Sequence, residues 1–413
     1  MPVEFIGMIG TKPGSETIRV AGPVIDPGYT KRFARAHEDA GFDRILIGYG
    51  SGYPEGSQVA AYAAAHTERI SLLIAHRPGF VAPTLAARQF ATLDQFSGGR
   101  VAVHTITGGN NTEQRRDGDY LEHDERYART DEYLSILRKT WESEEPFSHE
   151  GTYYRFEDHY AETKPAHRIP LYFGGSSAAA YRVGGRHADT FALWGEPLKE
   201  TAEQIASVNA AAREAGRIDL PGISVSFRPI LGATEELAWE RAERILATIE
   251  SGGGTSFFST KKRSWVVPGP QPENVGSQRL LSAAAKADRH DRALWTAPAK
   301  ATGAGGNSTA LVGTPETVAQ ALLDYVDIGV TTLLIRGYDP LDDAIDYGRE
   351  LIPLVREEVA RRDAAAAAAA SATSAASAAS ATSATSAASA ASAIADAPSS
   401  STSSDDALIG AAR

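Results

Sequence analysis

In the stretch "YFGGSSAAAYRVGG", residues 172–185, two glycines and two serines stand between a β-rich run and a helical one. Glycine lets the backbone approach a ligand closely, Ser176 and Ser177 offer hydroxyls, and a helix starting there turns its free N–H groups and positive dipole end outward. That is chemistry for a phosphate. The same serines could instead simply cap the helix, and the motif alone leaves both readings open.

Other apolar runs break into loops in the same way: "GTKPG" at 10–14, "GYGSGY" at 48–53, "AHRPG" at 75–79, "HTITGGNN" at 104–111, "LWGE" at 193–196, "SFRPI" at 226–230 and "RGYDP" at 336–340. Glycine beside a polar or basic residue recurs, which suits a large, partly anionic ligand. In "HDERY", 123–127, Asp124 is a candidate N-cap. Arg126 in the first turn opposes the helix dipole unless it has an anionic partner, either a ligand or Glu122 or Glu125. His76, His104 and His123 are too dispersed for a metal, no HExxH pair exists, and GxSxG is missing, so neither a metal site nor a hydrolase triad is expected.

The elements that must position these residues alternate. Strand-like runs at "EFIGMIG", "DRILIGYG", "ISLLIAHRPG", "RVAVHTITGG", "PLYFGG", "DTFALWG", "GISVSFRPILG" and "TTLLIRGY" are each followed by a helical stretch. Runs without strict polar alternation are buried on both faces, as parallel strands are. Eight such units predict a closed (β/α)8 barrel, whose active site lies at the C-terminal ends of its strands. Residues 252–313 interrupt the rhythm with Gly- and Pro-rich segments, a long insertion before the last βα unit that should lie over that mouth. The folded domain should occupy 1–363, and the Ala/Ser/Thr-rich segment 364–413 should be a disordered tail.

Composition narrows the functions. With 41 Lys+Arg against 52 Asp+Glu the net charge is -11, which argues against nucleic acid. The chain has no cysteine, so thiolate chemistry is excluded. The N-terminus lacks a signal-peptide pattern and no apolar run approaches the roughly 20 residues of a membrane helix, so a cytoplasmic enzyme with no membrane partner is expected.

Together the segments "AHEDAGFDRILI", "HRPGFVAPTLAARQFATLDQFSGGRVAVHTITG", "DGDYLEHDERYARTDEYL", "PLYFGGSS", "LWGEP", "STALVGTPETVA" and "GYDPLDDAIDYGRELIPL" resemble the bacterial luciferase-like flavin monooxygenase superfamily, and within it the alkanesulfonate monooxygenase branch. The resemblance spans about Glu4 to Glu358. It implies a TIM barrel that uses FMN as FMNH2, delivered by a separate NAD(P)H-dependent flavin reductase. With O2, such an enzyme oxidises a small anionic organosulfur substrate, cleaving an alkanesulfonate to aldehyde and sulfite. It also implies a homo-oligomer. Carried onto this chain, the flavin contacts fall on Tyr49, His104, Thr107, Glu113, Arg126, Tyr127, Ser176 and Ser177, with His104 where some relatives carry asparagine.

On the substrate side the chain departs from that branch. Lys12 stands for a histidine, Tyr53 for a cysteine, Ser226 and Arg228 for an arginine and a histidine, and Pro340 for a histidine, while Tyr338 is kept. The lid arginine has no clear counterpart, Lys300 being the nearest cation. Lys12, Arg77, Arg228, Lys300 and Arg336 could form a rearranged cationic pocket, with Arg228 and Lys12 as catalytic-site anion anchors and Tyr338 as hydrogen-bond donor. The alternative is that Arg228 and Arg336 pair with carboxylates inside the barrel mouth. Two other functions stay in view: a barrel of the same kind using a deazaflavin or a non-sulfonate substrate, and a flavin-binding barrel without catalysis.

Overall fold

The computed structural model describes residues 2–252, 272–306, 308–371 and 373. Eight parallel strands, β1 (Glu4–Ile9), β2 (Arg44–Ile47), β3 (Ser71–His76), β4 (Val101–Thr105), β5 (Leu171–Gly174), β6 (Thr190–Trp194), β7 (Gly222–Leu231) and β8 (Thr332–Ile335), pair in chain order. Pairing of β8 with both β7 and β1 closes the ring, so the expected TIM barrel is what forms.

Side chains alternate along each strand, and this period of two decides what reaches the site. Phe5 and Ile9 of β1, Val101 and Val103 of β4, Phe191 and Leu193 of β6 and Leu333 and Ile335 of β8 point outward into the large core beneath the helices. Their neighbours Ile6, Leu73, Ala102 and Tyr172 pack with Leu46 and Leu334 inside the ring. One step further along, the inward set is Met8, Gly48, Ala75, His104, Gly174, Ser226 and Arg336, at the C-terminal mouth. The same parity that builds the core therefore delivers the site.

Helix ends follow local chemistry. Asp26 accepts from Tyr29 N at the start of helix Pro27–Asp39, and Gly98 ends helix Pro83–Ser97 with φ at 68°, a conformation glycine reaches without a Cβ penalty. Helix His123–Glu142 is capped two residues earlier than the Asp124 that "HDERY" offers. Its cap is Glu122, which forms a capping box with Glu125, and Asp124 lies in the first turn.

Three elements depart from the sequence reading. A hairpin, Phe147–Glu150 with Arg155–His159, stands between β4 and β5, its turn held by Glu132, whose carboxylate accepts the N–H groups of Thr152, Tyr153 and Tyr154. Within the insertion, Ala310–Gly313 adds a parallel strand beside the outer half of β7, and two short strands, Arg289–His290 and Leu294–Trp295, continue it antiparallel. Residues 364–371 are helical and exposed, beyond the expected domain end at 363. The insertion's 253–271 and the tail's 374–413 lie outside the described residues. By contacts the chain forms two units, Met1–Val359 and Ala360–Arg413.

Candidate active site

A cavity of about 260 Å3 occupies the C-terminal mouth of the barrel, walled by the last inward residues of the strands. It shares Tyr49, Ile106, Trp194 and Asn274 with an outer cavity of about 980 Å3. Gly175, Ser176 and Tyr127 lie at one end of the inner cavity.

That end is a glycine–serine turn at a helix N-terminus. Gly175 has φ at 151°, and a Cβ there would lie 2.6 Å from Ala180 Cβ and 2.9 Å from the Tyr127 hydroxyl, so only glycine fits. Helix Ala178–His187 begins immediately beyond. Ser177 caps it, its Oγ accepting from Ala180 N at 3.2 Å, while Ser176 lines the cavity. The capping reading of "GGSS" thus holds for Ser177, and Ser176 is left facing the cavity.

In the middle, His104, Thr107 and Tyr49 all line the inner cavity. Burial pushes the His104 imidazole down to about 4, so the ring is neutral, and its buried Nδ1 has no partner among the described residues. The Thr107 hydroxyl donates to Thr130 Oγ1. Tyr49 donates to Asp117 at 2.9 Å while the Arg77 guanidinium lies 4.3 Å over its ring. Glu113 belongs to the outer cavity, where it pairs with Arg77 at 3.2 Å and accepts Ser51 N. Arg126 is buried outside both linings and donates to the carbonyls of Leu121 and Gly108, fixing the loop whose Gly108 walls both cavities. An anionic ligand, or else Glu122 or Glu125, was the expected partner; the guanidinium is given to carbonyls, and Arg126 lies outside the cavity linings.

The residues expected at the substrate are dispersed. Lys12 lines a separate, largely apolar pocket of about 60 Å3 with Val20, Val24 and Tyr53. Arg228 is 1% exposed and gives its guanidinium to Glu16 at 3.0 Å and to the carbonyls of Arg336 and Gly337. It stacks 3.7 Å over the ring of Tyr338, which packs with Ile230, Ala238 and Val312 away from the cavity. Burial pushes the Tyr338 phenol up to about 12, so it stays protonated, and its hydroxyl has no hydrogen-bond partner among the described residues. Lys300 is exposed. Of the five cations, Arg336 alone lines the inner cavity and Arg77 the outer one.

Glu16 is the residue the sequence concealed. It sits in the irregular loop after β1 and bridges Arg228 and Arg336, each at 3.0 Å. Burial by itself would raise its carboxyl, but the two guanidiniums outweigh that and hold it at about 2.

The insertion roofs the mouth. Asn274, at the N-terminus of helix Val275–Lys286, lines both cavities, and Gly276 packs so closely on Trp194 that a Cβ would lie 2.8 Å from its ring. Glu273 accepts Asn111 N at 3.0 Å, and Arg279 pairs with Glu196 at the end of β6. Among the described residues, no helix is long and apolar enough to cross a membrane, and no group of three or more His, Asp or Glu is placed to hold a metal ion.

Comparison with known structures finds the same architecture in enzymes of several chemistries. A riboflavin lyase crystallised with modified FMN and riboflavin superposes with a TM-score of 0.71 at 22% identity, covering 87% of this chain and 92% of that one. The EDTA monooxygenase of Chelativorans sp. BNC1 gives 0.68 at 19%, covering 87% and 94%. An F420-dependent secondary alcohol dehydrogenase gives 0.61 at 18%, covering 86% and 100%. At these identities the likeness is one of fold. The description of the luciferase-like monooxygenases matches residues 3–332, most of the chain and nearly all of the barrel, and the chain belongs to that family.

Proposed function

We propose that the protein is a monooxygenase that binds reduced FMN in the inner cavity and uses O2 to oxidise a small organosulfur compound held in the outer one, an alkanesulfonate being the first candidate. One observation carries the reading: a single cavity runs from a glycine–serine turn at a helix N-terminus to the inward residues of β8 and β1, beneath a roof tied to the barrel.

The residues fit a phosphorylated flavin. Gly175 leaves the space a Cβ would fill, Ser176 and the helix behind it suit a phosphate, and the unpartnered Nδ1 of His104 needs a polar partner from a ligand. The flavin, when bound, supplies the oxygen activation. The chain's own residues bind and enclose it: Tyr127 and Ser176 at the phosphate, Thr107 and His104 along the cavity, Trp194 and Asn274 as the wall that keeps water out. Arg77 and Arg116 are the cations on the outer cavity wall and would hold an anionic substrate, with Glu113 and Glu273 limiting the net charge there. Reduced FMN comes from a separate NAD(P)H-dependent reductase, and the active species is a homo-oligomer.

The roof favours oxygenation over hydride transfer from a deazaflavin, because an oxygen-activating flavin needs exclusion of water. Aerobic assay with a flavin reductase and a panel of sulfonates and sulfones tests the reading. Sulfite release that requires FMN, NADH and O2 supports it. Tight FMN binding without turnover of any compound sinks it.

A further inference from the structure

A roof that keeps water from the inner cavity creates a second requirement, because O2 must still reach the same place. Water needs polar partners along a path, whereas O2 is uncharged, forms no strong hydrogen bond and partitions into apolar space. A narrow apolar passage therefore admits one and rejects the other. The outer cavity does not have that lining: Arg77, Arg116, Glu113 and Glu273 are on its walls, and it is the space given above to the substrate.

The pocket of about 60 Å3 beside the β1 loop does have it. It lies between the ends of β1 and β2 and the helix Gly56–Ala64, walled by Ile9, Ile47, Pro54, Val59, Val20 and Val24. The Thr11 hydroxyl is spent on Val24 O at 2.8 Å, and among the described residues no carboxylate or histidine lines the space. A space of this kind is roomy enough for water, but an apolar one stays dry and takes xenon or small apolar molecules instead. Its outer rim is at the surface, where Val24 is 49% exposed. Its inner limit is Gly48, which also lines the inner cavity. The barrel wall has no side chain at Gly48, and a Cβ there would meet Cε of Met8 at 2.9 Å, the flexible end of a residue that lines the cavity.

We infer that this pocket is the entry for dioxygen, a side route from the surface at Val24, past Val20 and Val59, to the inner cavity at Gly48. The inference rests on the oxygenase reading of that cavity. The route gives O2 a path that stays open while an anionic substrate occupies the polar outer cavity, and it leaves the wall of Trp194 and Asn274 in place.

The loop after β1 is tied through Thr11, whose hydroxyl donates to Val24 O and whose carbonyl accepts Asp26 N at 2.7 Å. Val20→Phe and Val24→Trp keep those ties while filling the pocket and covering its rim. Wild-type crystals pressurised with xenon should show the gas in the pocket, and crystals of Val20→Phe should not. Mixed with O2 in stopped flow, the complex with reduced FMN should oxidise about threefold or more slowly in both variants. Reduced FMN should bind both within about twofold of wild type. Val20→Ala, which widens the pocket, should be no slower than wild type. Xenon absent from the wild-type pocket, or oxidation rates unchanged in both filled variants, overturns the inference and leaves the oxygenase reading standing. Wild-type protein that binds no reduced FMN overturns that reading, and the inference with it.

Discussion

Arg279 Nη2 lies 2.6 Å from Oε2 of Glu196, and its Nε is within 3.0 Å of both carboxylate oxygens, so one ion pair joins the insertion helix to the end of the sixth barrel strand. Glu196 is 1% exposed. Arg279→Met would leave that carboxylate buried without its cation, and with the arginine itself 29% exposed the cost should be about 2 kcal/mol, below the range for a fully buried pair. A urea midpoint measures it. The same variant should consume more O2 per product formed, because the roof that excludes water hangs on this pair; an unchanged coupling ratio would mean that Trp194 and Asn274 hold the roof unaided.

The neighbouring serines of "GGSS" should separate in their effects. Ser177→Ala removes a helix cap and should lower stability by about 1 kcal/mol with little change in FMN affinity. Ser176→Ala should do the reverse. Gly175→Ala should harm both, with backbone strain of about 1–3 kcal/mol at its φ of 151° and a Cβ forced against Ala180. Fluorescence titration of FMN beside thermal unfolding reads all three.

How much of this was legible follows from what each feature depends on. The eight strands and the glycine–serine turn before helix Ala178–His187 are local: periodicity, glycine placement and the strand-to-helix junction are all contained in short segments, and they form as expected. The fate of Arg228 is not local. It shares the parity of Ser224 and Ser226 on β7, yet its guanidinium goes to Glu16, 212 residues away in a loop without regular structure, and not into the cavity. Nothing in the spacing of either residue announces the pair. Lys12, four residues from Glu16, faces another pocket for the same reason, since an irregular loop has no period from which direction can be read. The hairpin at 147–159 escaped because its strands are short and half exposed.

The Glu16 cluster sets an acid limit on stability. Its carboxyl is held at about 2 against an ordinary 4.5. For an acid whose folded value is depressed, the contribution is complete above the unfolded value and is lost as pH falls through the folded one. The cluster should therefore contribute on the order of 3 kcal/mol at neutral pH, lost between pH 4.5 and 2. Glu16→Gln should be less stable than wild type at pH 7 and indistinguishable from it near pH 2. A gap that persists to pH 2 would mean that packing, not charge, accounts for the loss.

A second acid response arises at milder pH from three buried histidines. Burial pushes His37, His76 and His104 each to about 4 from an ordinary 6.5, against opposing contributions from Phe33 O for His37 and Glu55 for His76. These groups are neutral in the folded chain, and the unfolded chain takes up their protons first, so stability is complete above pH 6.5 and falls as pH drops toward 4. Each should remove on the order of 2 kcal/mol by pH 5. His104→Asn leaves two such groups and should flatten the fall in urea midpoint between pH 7 and 5 by about one third, while its stability at pH 7 changes little. His76 also bonds Tyr133 at 2.7 Å, and His37 fills the space above Gly7, so substitution at either would confound titration with packing. His104, with its Nδ1 unpartnered and its ring facing the cavity, is the clean probe.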